Sequence, residues 1–185
     1  VAIGDLNNDG KLDLVVANYN IGAGTTISTF LNTSTSTFSL AVKVDYTTGI
    51  GPYSVAIGDL NNDGKLDVAV VNSHPASNSV STFLNTSTST FSLAAKVDYT
   101  TGSSPYSVAI GDLNNDGKMD LAVANYSSAS VSTLLNSSTS TFSLAAKVDY
   151  TTGSGPTSVA IGDINNDGKM DLAVANYSSA SVSTL

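Results

Sequence analysis

Twelve of the fifteen aspartates of this chain stand in four copies of one short pattern, D-x-N-x-D-G-x-x-D. Oxygen atoms at alternate positions of a tight loop can converge on one centre, and the glycine permits the sharp turn. Carboxylate and amide oxygens suit hard cations, and a flexible loop suits Ca²⁺ better than the strict octahedron of Mg²⁺. The sequence therefore predicts about one Ca²⁺ per copy, bound through side chains at positions one, three, five and nine and a backbone carbonyl at position seven. The predicted ligands are Asp5, Asn7, Asp9, the Lys11 backbone carbonyl and Asp13; Asp59, Asn61, Asp63, the Lys65 backbone carbonyl and Asp67; Asp112, Asn114, Asp116, the Lys118 backbone carbonyl and Asp120; and Asp163, Asn165, Asp167, the Lys169 backbone carbonyl and Asp171.

Other oxygen-rich calcium loops do not fit this pattern. An EF-hand loop closes with a bidentate Glu at position twelve, and dockerin-type loops also need a ligand there. Thrombospondin-type calcium repeats need Cys, and the chain has none. Position twelve holds an apolar residue in every copy: Val16, Val70, Val123 and Val174.

The four loops belong to a repeat of about 53 residues. The block VAIGD(L/I)NNDGK begins at Val1, Val55, Val108 and Val159, and a second block close to STFLNTSTSTFSLAAKVDYTTG stands between its copies. Internal repetition of this length indicates a propeller, a solenoid or another array. We expect three full units and part of a fourth, spanning residues 1–54, 55–107, 108–158 and 159–185, as part of one array in a longer chain.

Each unit is predicted to hold four strands, which the second unit illustrates. The second strand is apolar throughout, as a strand buried on both faces would be, and the fourth alternates as a half-exposed strand would. Burial is therefore expected to fall steadily from the first strand to the fourth. A four-stranded propeller blade has this gradient, so we predict an all-β fold of antiparallel β-propeller blades; a β-solenoid is the main alternative. The predicted strands are Ser54 to Asp59, Leu66 to Asn72, Ser79 to Asn85 and Thr90 to Tyr99.

The string SVAIGDLNNDGKLDVAV, which begins at Ser54 shortly after Pro52, resembles the FG-GAP and VCBS-like repeats of calcium-binding β-propellers. The resemblance extends along the whole chain. It implies seven or eight blades in a complete propeller, with Ca²⁺ in the loop between the first two strands, and secretion with adhesive or carbohydrate-binding roles. The Phe-Gly that names the family is replaced by Pro-Tyr-Ser or Pro-Thr-Ser, which indicates the bacterial-style VCBS branch rather than integrins.

Composition excludes several classes of function. The net charge is −8 and there is no Arg, so we expect no binding to nucleic acid. No apolar run is long enough for a membrane span, so no membrane insertion is expected. With no Arg, no Glu, no Cys and one His, the chain also lacks the usual catalytic groups, and we predict that it is not an enzyme. A polysaccharide lyase, which some relatives of this repeat family resemble, is the enzymatic alternative.

The end of the predicted blades opposite the aspartate loops contains several tyrosines and asparagines. Tyrosine rings can stack on sugar rings, and asparagine amides can form hydrogen bonds with sugar hydroxyl groups. The interpretation that we prefer to sugar binding is that these tyrosines cap the core and these asparagines close turns. His74 is expected to be a loop variant rather than a catalytic base or zinc ligand. The residues assigned to this end are Asn18, Tyr19, Tyr46, Tyr53, Asn72, His74, Tyr99, Tyr106, Asn125, Tyr126, Tyr150, Asn176 and Tyr177.

These observations favour a secreted or cell-surface calcium-binding module with a structural, adhesive or protein-interaction role. Four bound Ca²⁺ ions would balance the net charge of −8. A lectin-like module that uses the Tyr/Asn end is the alternative, so the expected partners are a carbohydrate or a surface protein. A unit that lacks part of its sheet would also leave strand edges free for self-assembly.

Overall fold

The computed structural model describes residues 1–185 as a series of antiparallel sheets in which strands pair in the order of the chain. The first three units each form a four-stranded sheet and the fourth forms a three-stranded sheet. Unit 1 contains β1 (Ala2–Gly4), β2 (Asp13–Asn18), β3 (Thr26–Phe30) and β4 (Val44–Thr47). Unit 2 contains β5 (Pro52–Gly58), β6 (Asp67–Asn72), β7 (Ser79–Phe83) and β8 (Val97–Thr100). Unit 3 contains β9 (Pro105–Gly111), β10 (Asp120–Asn125), β11 (Ser130–Leu134) and β12 (Val148–Thr151), and unit 4 contains β13 (Pro156–Gly162), β14 (Asp171–Asn176) and β15 (Ser181–Thr184).

The hydrophobic core lies between consecutive sheets and consists of three separate clusters. Strand β6 shows why its sequence is apolar throughout. Its Val68 and Val70 pack into the cluster shared with unit 1, whereas Ala69 and Val71 pack into the cluster shared with unit 3. Because side chains alternate across a strand, one strand serves two cores, and the prediction of burial on both faces is confirmed.

Glycine at the end of the first strand permits close packing between sheets at the three junctions between units. An added Cβ at Gly58 would lie 3.0 Å from the Ile110 side chain of unit 3, and one at Gly111 would lie 3.0 Å from Ile161 of unit 4. The first strands β5, β9 and β13 also contact one another in sequence along the array. Each unit therefore stacks on the next through its first two or three strands.

The predicted steady fall in burial is wrong for the first strand. In units 2 and 3 the second and third strands are completely buried, whereas the first strands β5 and β9 are only half-buried. Their many Gly, Ala and Ser residues leave backbone accessible, since small side chains cover little surface. The fourth strands are mostly exposed, as predicted.

The fourth strand is also shorter than predicted. Strand β8 covers Val97–Thr100, and the residues before it make only a single bridge, between Asn85 and Leu93. The polar-apolar alternation of this segment has another origin, because Phe91 and Leu93 pack into the core between units 1 and 2.

The fold contains one short 3-10 turn, Asn20–Gly22. No helix in the structure combines the length and the hydropathy needed to cross a bilayer.

Candidate metal centre

Each of the four predicted calcium loops joins the first strand of its unit to the second. The loop folds around its first aspartate. In unit 1 the Asp5 carboxylate accepts hydrogen bonds from the backbone N–H groups of Asp9 at 3.0 Å and Gly10 at 2.8 Å. The same two bonds recur on Asp59, Asp112 and Asp163, at distances of 2.7 to 3.0 Å.

The loop needs a left-handed backbone at two positions. Asn62 has a φ of 58° and Gly64 a φ of 81°, and the other three loops have nearly the same values. Asn and Gly are the residues that adopt this region most readily. The repeated Asn-Asp-Gly therefore fixes the course of the chain through the turn.

The ninth-position aspartate ties the loop to the rest of the sheet. Asp67 is fully buried at the start of β6 and accepts hydrogen bonds from the N–H groups of Leu60, at 2.9 Å, and Asn85, at 2.7 Å. Asp13 and Asp120 are likewise fully buried with the equivalent two bonds. In unit 4, Asp171 is half-buried and accepts only the bond from Ile164.

Burial raises the pKa of Asp67 to about 6, despite the two N–H groups that it accepts, and the nearby carboxylates of Asp63 and Asp59 push in the same direction. Burial also raises the pKa of Asp120, for which Asp116 and Asp112 are the neighbouring acids. A desolvated carboxylate that faces other carboxylates favours protonation or a cation. The ninth-position aspartate, the most buried of the predicted ligands, thus has no positive charge beside it.

The seventh-position lysine does not supply that charge. Its ammonium group turns outward to the fifth-position aspartate, with Lys65 Nζ 3.5 Å from Asp63 and Lys118 Nζ 3.9 Å from Asp116. Such exposed pairs contribute little to stability. The lysines were expected in solvent, and they lie at the surface as ion-pair partners.

The loops gather the predicted ligands without bringing three carboxylates to one centre. No group of three or more His, Cys, Asp or Glu side chains in the structure is positioned to hold a metal ion. The carboxylates instead accept the N–H groups of the loop itself. Since an ionised carboxylate can accept about four bonds, two bonds on Asp5 or Asp67 leave further acceptor sites. The donor set therefore fits Ca²⁺ chemically, but the side chains would have to turn toward a shared ion.

Two sets of asparagines that the ligand pattern did not single out connect the loops to neighbouring units. The fourth-position Asn62 donates from Nδ2 to the carbonyl oxygen of Gly117 in the next loop at 2.9 Å, and Asn115 donates to Gly168 at 2.7 Å. From the other direction, Asn85 donates to the carbonyl oxygen of Leu6 in the preceding loop at 2.8 Å. The loops therefore form a connected row. The recurrence of Asn at these positions in every copy was the available signal.

A cleft of about 530 Å³ lies between the loop of unit 2 and the turn of unit 3 that precedes Phe142. Its walls carry the loop residues Asn62 and Asp63 and the hydroxyl groups of Ser138 and Thr139. The predicted calcium loops and the Ser/Thr-rich turns therefore lie at the same end of the sheets.

Four tyrosines meet at the opposite end of the sheets and form what we term the tyrosine row. The Tyr53 and Tyr106 rings are stacked with centroids 4.4 Å apart, and the Tyr106 and Tyr126 rings are stacked at 4.8 Å. Tyr19 meets Tyr53 edge-on at 5.2 Å. The rings of Tyr53, Tyr106 and Tyr126 thus contact one another through their faces. Tyr177 is 76% exposed and has no ring partner.

Several other residues predicted for this end are buried or half-buried. Tyr46 and Tyr99 pack against the cores between units, and burial raises the pKa of the Tyr46 hydroxyl. Asn72, Asn125 and Asn176 are buried, whereas Asn18 of unit 1 is half-buried. Asn72 Nδ2 donates to the Ser79 and Ser81 hydroxyl groups at 3.0 and 2.8 Å. Tyr46 and Tyr99 therefore cap the core, as the interpretation preferred from the sequence has it, and do not line a ligand face.

The three aspartates outside the loops also have a structural role that sequence reasoning missed. Ser81 Oγ donates to Asp98 at 2.6 Å, which links the third strand to the fourth, and Lys96 pairs with the same carboxylate. In unit 1 the Lys43 ammonium and the Ser28 hydroxyl hold the pKa of Asp45 below its usual value. His74 accepts the N–H of Ala76 on its Nδ1 and closes a loop turn, in line with its interpretation as a loop variant.

A family model described as FG-GAP-like repeat matches residues 5–70, 68–123 and 112–174. No curated protein sequence matches the chain. Among solved structures, the fold is similar to a crystal structure of BBS1N in complex with ARL6DN, soaked with lead, at a TM-score of 0.62 and 15% identity over 99% of this chain and 54% of that one. It is also similar to a functionally unknown protein from Desulfotomaculum acetoxidans DSM 771, at a TM-score of 0.58 and 15% identity over the same shares of the two chains. The chain thus spans about half the length of both structures.

Proposed function

Because the chain belongs to the FG-GAP-like repeat family, we propose that it is a secreted or cell-surface Ca²⁺-binding module whose units are β-propeller blades. Its role would be structural, adhesive or protein-interacting rather than enzymatic. The blade assignment is supported by sheets that stack face to face with their first strands side by side. The similarity of fold to longer chains at TM-scores near 0.6 supports it further.

The observation that carries the Ca²⁺ proposal is a repeated loop with a buried carboxylate that has no cationic partner. All four copies of the pattern fold alike, and all four lie between the first and second strands. Within the second loop, Asp67 is desolvated, and the negative charges of Asp63 and Asp59 raise its pKa further. A divalent cation would offset this repulsion and the desolvation together.

Bound Ca²⁺ would supply fixed positive charge at the loop, and the residues of the chain would do the remaining work. Asp59 holds the turn through two N–H groups, and Asp67 holds the loop against the Asn85 N–H at the end of β7. Anything that orders the loop therefore also orders the third strand and, through Asn85 and Leu6, the preceding unit. The site is accordingly proposed to stabilise the junctions between units.

The test is thermal unfolding with and without the ion. If extracellular-type loops bind with dissociation constants of about 0.1–1 mM, about 10 mM CaCl₂ stabilises each site by roughly 1–3 kcal/mol. We expect excess chelator to lower the melting temperature by about 10 °C or more, and calorimetric titration to give about four ions per chain. MgCl₂ at the same concentration is the control and should stabilise less. An unchanged melting curve together with no heat of binding would contradict the proposal.

A carbohydrate partner at the tyrosine end has weaker support. Stacking on sugars needs free ring faces, and the Tyr53 and Tyr106 faces are occupied by neighbouring rings. Tyr177, the most exposed of the tyrosines, has the ring that could serve. Screening on a glycan array in Ca²⁺, with Tyr177→Ala beside the unaltered chain, separates the two roles. Binding that depends on Tyr177 would favour the lectin-like function, and no binding would favour the structural one.

A further inference from the structure

The four units are copies of one pattern, so the positions at which they differ identify what one unit offers and the others do not. The connections between the second and third strands differ most. In units 3 and 4 they are four residues long and identical, with Tyr-Ser-Ser-Ala at 126–129 and 177–180. In units 1 and 2 they are longer and unlike each other, at 19–25 and 73–78. Insertions in a repeat array lie in loops on one face, which is often the binding face.

The junction between units 1 and 2 contains further departures from the repeat. Ile50 lies in the linker before β5, whereas the equivalent positions before β9 and β13 hold Ser103 and Ser154. His74 is the only histidine of the chain. Pro75 follows it, and the other three prolines each begin a first strand. The sequence has therefore changed at this junction in both the linker and the loops.

These unusual residues line one cleft of about 480 Å³ between units 1 and 2. Isoleucine and proline side chains give it apolar walls, and tyrosine, threonine and histidine add polar groups. None of its lining residues is an aspartate or a lysine. The cleft is therefore uncharged, although the chain has a net charge of −8. The residues that the argument uses are Tyr19, Ile21, Thr25, Ile50, His74 and Pro75.

The backbone of this junction follows the same plan as the next one. The Ile50 N–H donates to the Ser77 hydroxyl at 2.8 Å, and the equivalent Ser103 N–H donates to the Ser128 hydroxyl at 3.1 Å. Ile50 also belongs to none of the three core clusters, so packing between the sheets does not explain it. The change from serine to isoleucine thus alters the surface of the cleft and leaves the frame of the junction in place.

The loop of unit 1 has a strained backbone beside the cleft. Asn20 and Ile21 both have left-handed φ values, of 42° and 53°. A β-branched residue rarely adopts this region, and strain of this kind clusters at binding and catalytic sites. The N–H groups of Gly22 and Gly24 donate to the Tyr19 carbonyl oxygen at 2.9 and 3.0 Å and hold the loop closed. This wall of the cleft is therefore preformed.

His74 supplies a hydrogen-bond donor to the cleft. Its Nδ1 accepts the Ala76 N–H at 3.1 Å. In the neutral ring the proton is then on Nε2, which is a donor and makes no hydrogen bond within the chain. The cleft thus combines apolar walls with one directed donor, as sites for uncharged ligands do.

We propose that this cleft binds an extended, uncharged segment of a partner protein and places one apolar side chain of that segment against Ile50 and Pro75. A backbone carbonyl oxygen of the segment would accept the Nε2–H of His74. The inference rests on the protein-interacting role proposed above and gives it a site. The volume lies in the range of ligand sites and suits one large side chain with its adjoining peptide groups.

The composition of the cleft decides against two other occupants. A charged side chain would lose its hydration and find no opposite charge among the lining residues. A saccharide would place several hydroxyl groups against apolar walls, where they would lack partners. An apolar side chain and a carbonyl oxygen match the groups that the cleft provides.

Capped peptides Ala-Ala-X-Ala-Ala test the class of ligand, with X as Leu or Phe and, for comparison, as Lys or Asp. Because the chain has one histidine, the His74 ring signal in a ¹H–¹³C NMR spectrum reports on the cleft. We expect a saturable shift with the Leu or Phe peptide, at a dissociation constant of about 1 mM or tighter. The Lys and Asp peptides should bind at least about tenfold more weakly.

Three results would overturn the proposal. One is the lack of a saturable shift with either apolar peptide up to about 10 mM. Another is equal binding of all four peptides. The third is a shift with methyl glycosides and with none of the peptides, which would assign the cleft to a saccharide.

Ile50→Ser locates the contact, because it gives this linker the residue that the other two linkers have. It should weaken binding of the Leu peptide about tenfold, as loss of a partly buried apolar side chain does. Its melting temperature should stay close to that of the unaltered chain, since Ile50 packs into no core cluster. The matched control, Ser103→Ile, makes the reverse change at the next junction and should leave the affinity unchanged. Unchanged affinity in Ile50→Ser, or equal losses in both variants, would overturn the proposed site.

His74→Ala tests the hydrogen bond. Saturation transfer from the protein to the methyl groups of the peptide measures its binding without the histidine signal. We expect binding to be about 3–10-fold weaker, the net contribution of one hydrogen bond. Unchanged affinity would overturn the contact assigned to His74. A chain that binds no peptide but melts at a higher temperature with Ca²⁺ would contradict this inference alone, whereas the lack of both effects would contradict the proposed function as well.

Discussion

At one end of the sheets the four aspartate loops carry the whole net charge of the chain, whereas the tyrosine row at the other end carries none. The loops contain twelve Asp and four Lys, and the remaining three Asp and three Lys balance each other. The loop end is held by hydrogen bonds from backbone N–H groups to carboxylates, such as those that Asp67 accepts from Leu60 and Asn85. The tyrosine end is held by ring contacts between units, such as Tyr53 with Tyr106. The same stack of sheets is thus stabilised by charge-dependent contacts at one end and by charge-independent contacts at the other.

The largest expected effect is that of removing the buried carboxylate at the loop end. Asp67→Ala leaves the Leu60 and Asn85 N–H groups without partners in a buried site. Two such donors cost about 2–5 kcal/mol of the free energy of unfolding. Denaturant unfolding in CaCl₂ and in chelator checks this, and the loss should be larger in CaCl₂.

The matched control is Asp171→Ala in unit 4, where the carboxylate is half-buried and accepts one N–H. It should cost about 1 kcal/mol. Equal losses in the free energy of unfolding for Asp67→Ala and Asp171→Ala would contradict this account. They would show that the stabilisation by the ninth-position aspartate depends neither on its burial nor on its hydrogen bond to the residue that follows the third strand.

The next effect concerns the tyrosine end. Tyr106→Ala removes two stacked contacts, with Tyr53 and Tyr126. Each aromatic pair contributes about 0.5–1.5 kcal/mol beyond area burial, so we expect a loss of about 2–3 kcal/mol. The loss should be the same in CaCl₂ and in chelator, which is the contrast with Asp67.

Tyr177→Ala is the control for the row, because Tyr177 is largely exposed and meets no ring. Its free energy of unfolding should change by less than about 0.5 kcal/mol. If the Tyr106 effect depended on Ca²⁺, the two ends would be coupled through the sheets rather than independent.

The response to pH should also differ between the two ends. Burial raises the pKa of Asp67 to about 6, above its value of about 4 in the unfolded chain, and the pKa of Asp120 shifts in the same direction. A raised carboxyl pKa means that the folded state binds more protons between these two values, so stability increases as pH falls through 6 toward 4. In chelator we therefore expect the melting temperature to rise by a few degrees from pH 7 to pH 5.

With Ca²⁺ present the sign should reverse, because protons compete with the ion for the same carboxylates. Differential scanning calorimetry at pH 5, 6 and 7 measures both series. Asp67→Asn should weaken the response in chelator. A melting temperature that falls with pH in chelator would contradict the assigned direction for Asp67 and Asp120.

The repeat and its buried second strands could be predicted from sequence because the constraint is local and periodic. An apolar run such as that of β6 can be stable only between two layers. The burial of the first strand was predicted wrongly because this strand is rich in Gly, Ala and Ser. The exposure of such small residues depends on what lies beside them, and their identities do not specify that. The prediction that the fourth strand includes Phe91 to Leu93 was wrong for a related reason. The alternation of these residues reflects packing on the preceding unit rather than pairing in a sheet.

At the candidate site, the loop positions and the ninth-position aspartate follow from the pattern, but the partners of these side chains do not. The asparagines at the ends of the second strands were placed with the loops of that end because strand order brings these positions there. In the structure Asn72 is fully buried, since Ser79 and Ser81 on the adjacent strand supply acceptors for its amide. A pairing of this kind depends on strand register, and register is set by the assembled sheet.

The smallest expected effect tests whether the loops act as a connected row. Asn62→Gly removes the bond to the Gly117 carbonyl and keeps the left-handed backbone easy to adopt. The control Asn166→Gly makes the same backbone change at a position that has no such bond. Asn62→Gly should be less stable than the control by about 0.5–1 kcal/mol, the net contribution of one hydrogen bond.

If ordering of one loop favours ordering of the next, Asn62→Gly should also reduce cooperativity in the Ca²⁺ titration. Asn166→Gly should leave it unchanged. Identical titrations for both variants would mean that each loop binds independently, and the charge-dependent end would then be four separate sites rather than one connected row. Because Asn8, Asn62 and Asn115 make this contact at all three junctions, the result for one junction bears on every boundary between units.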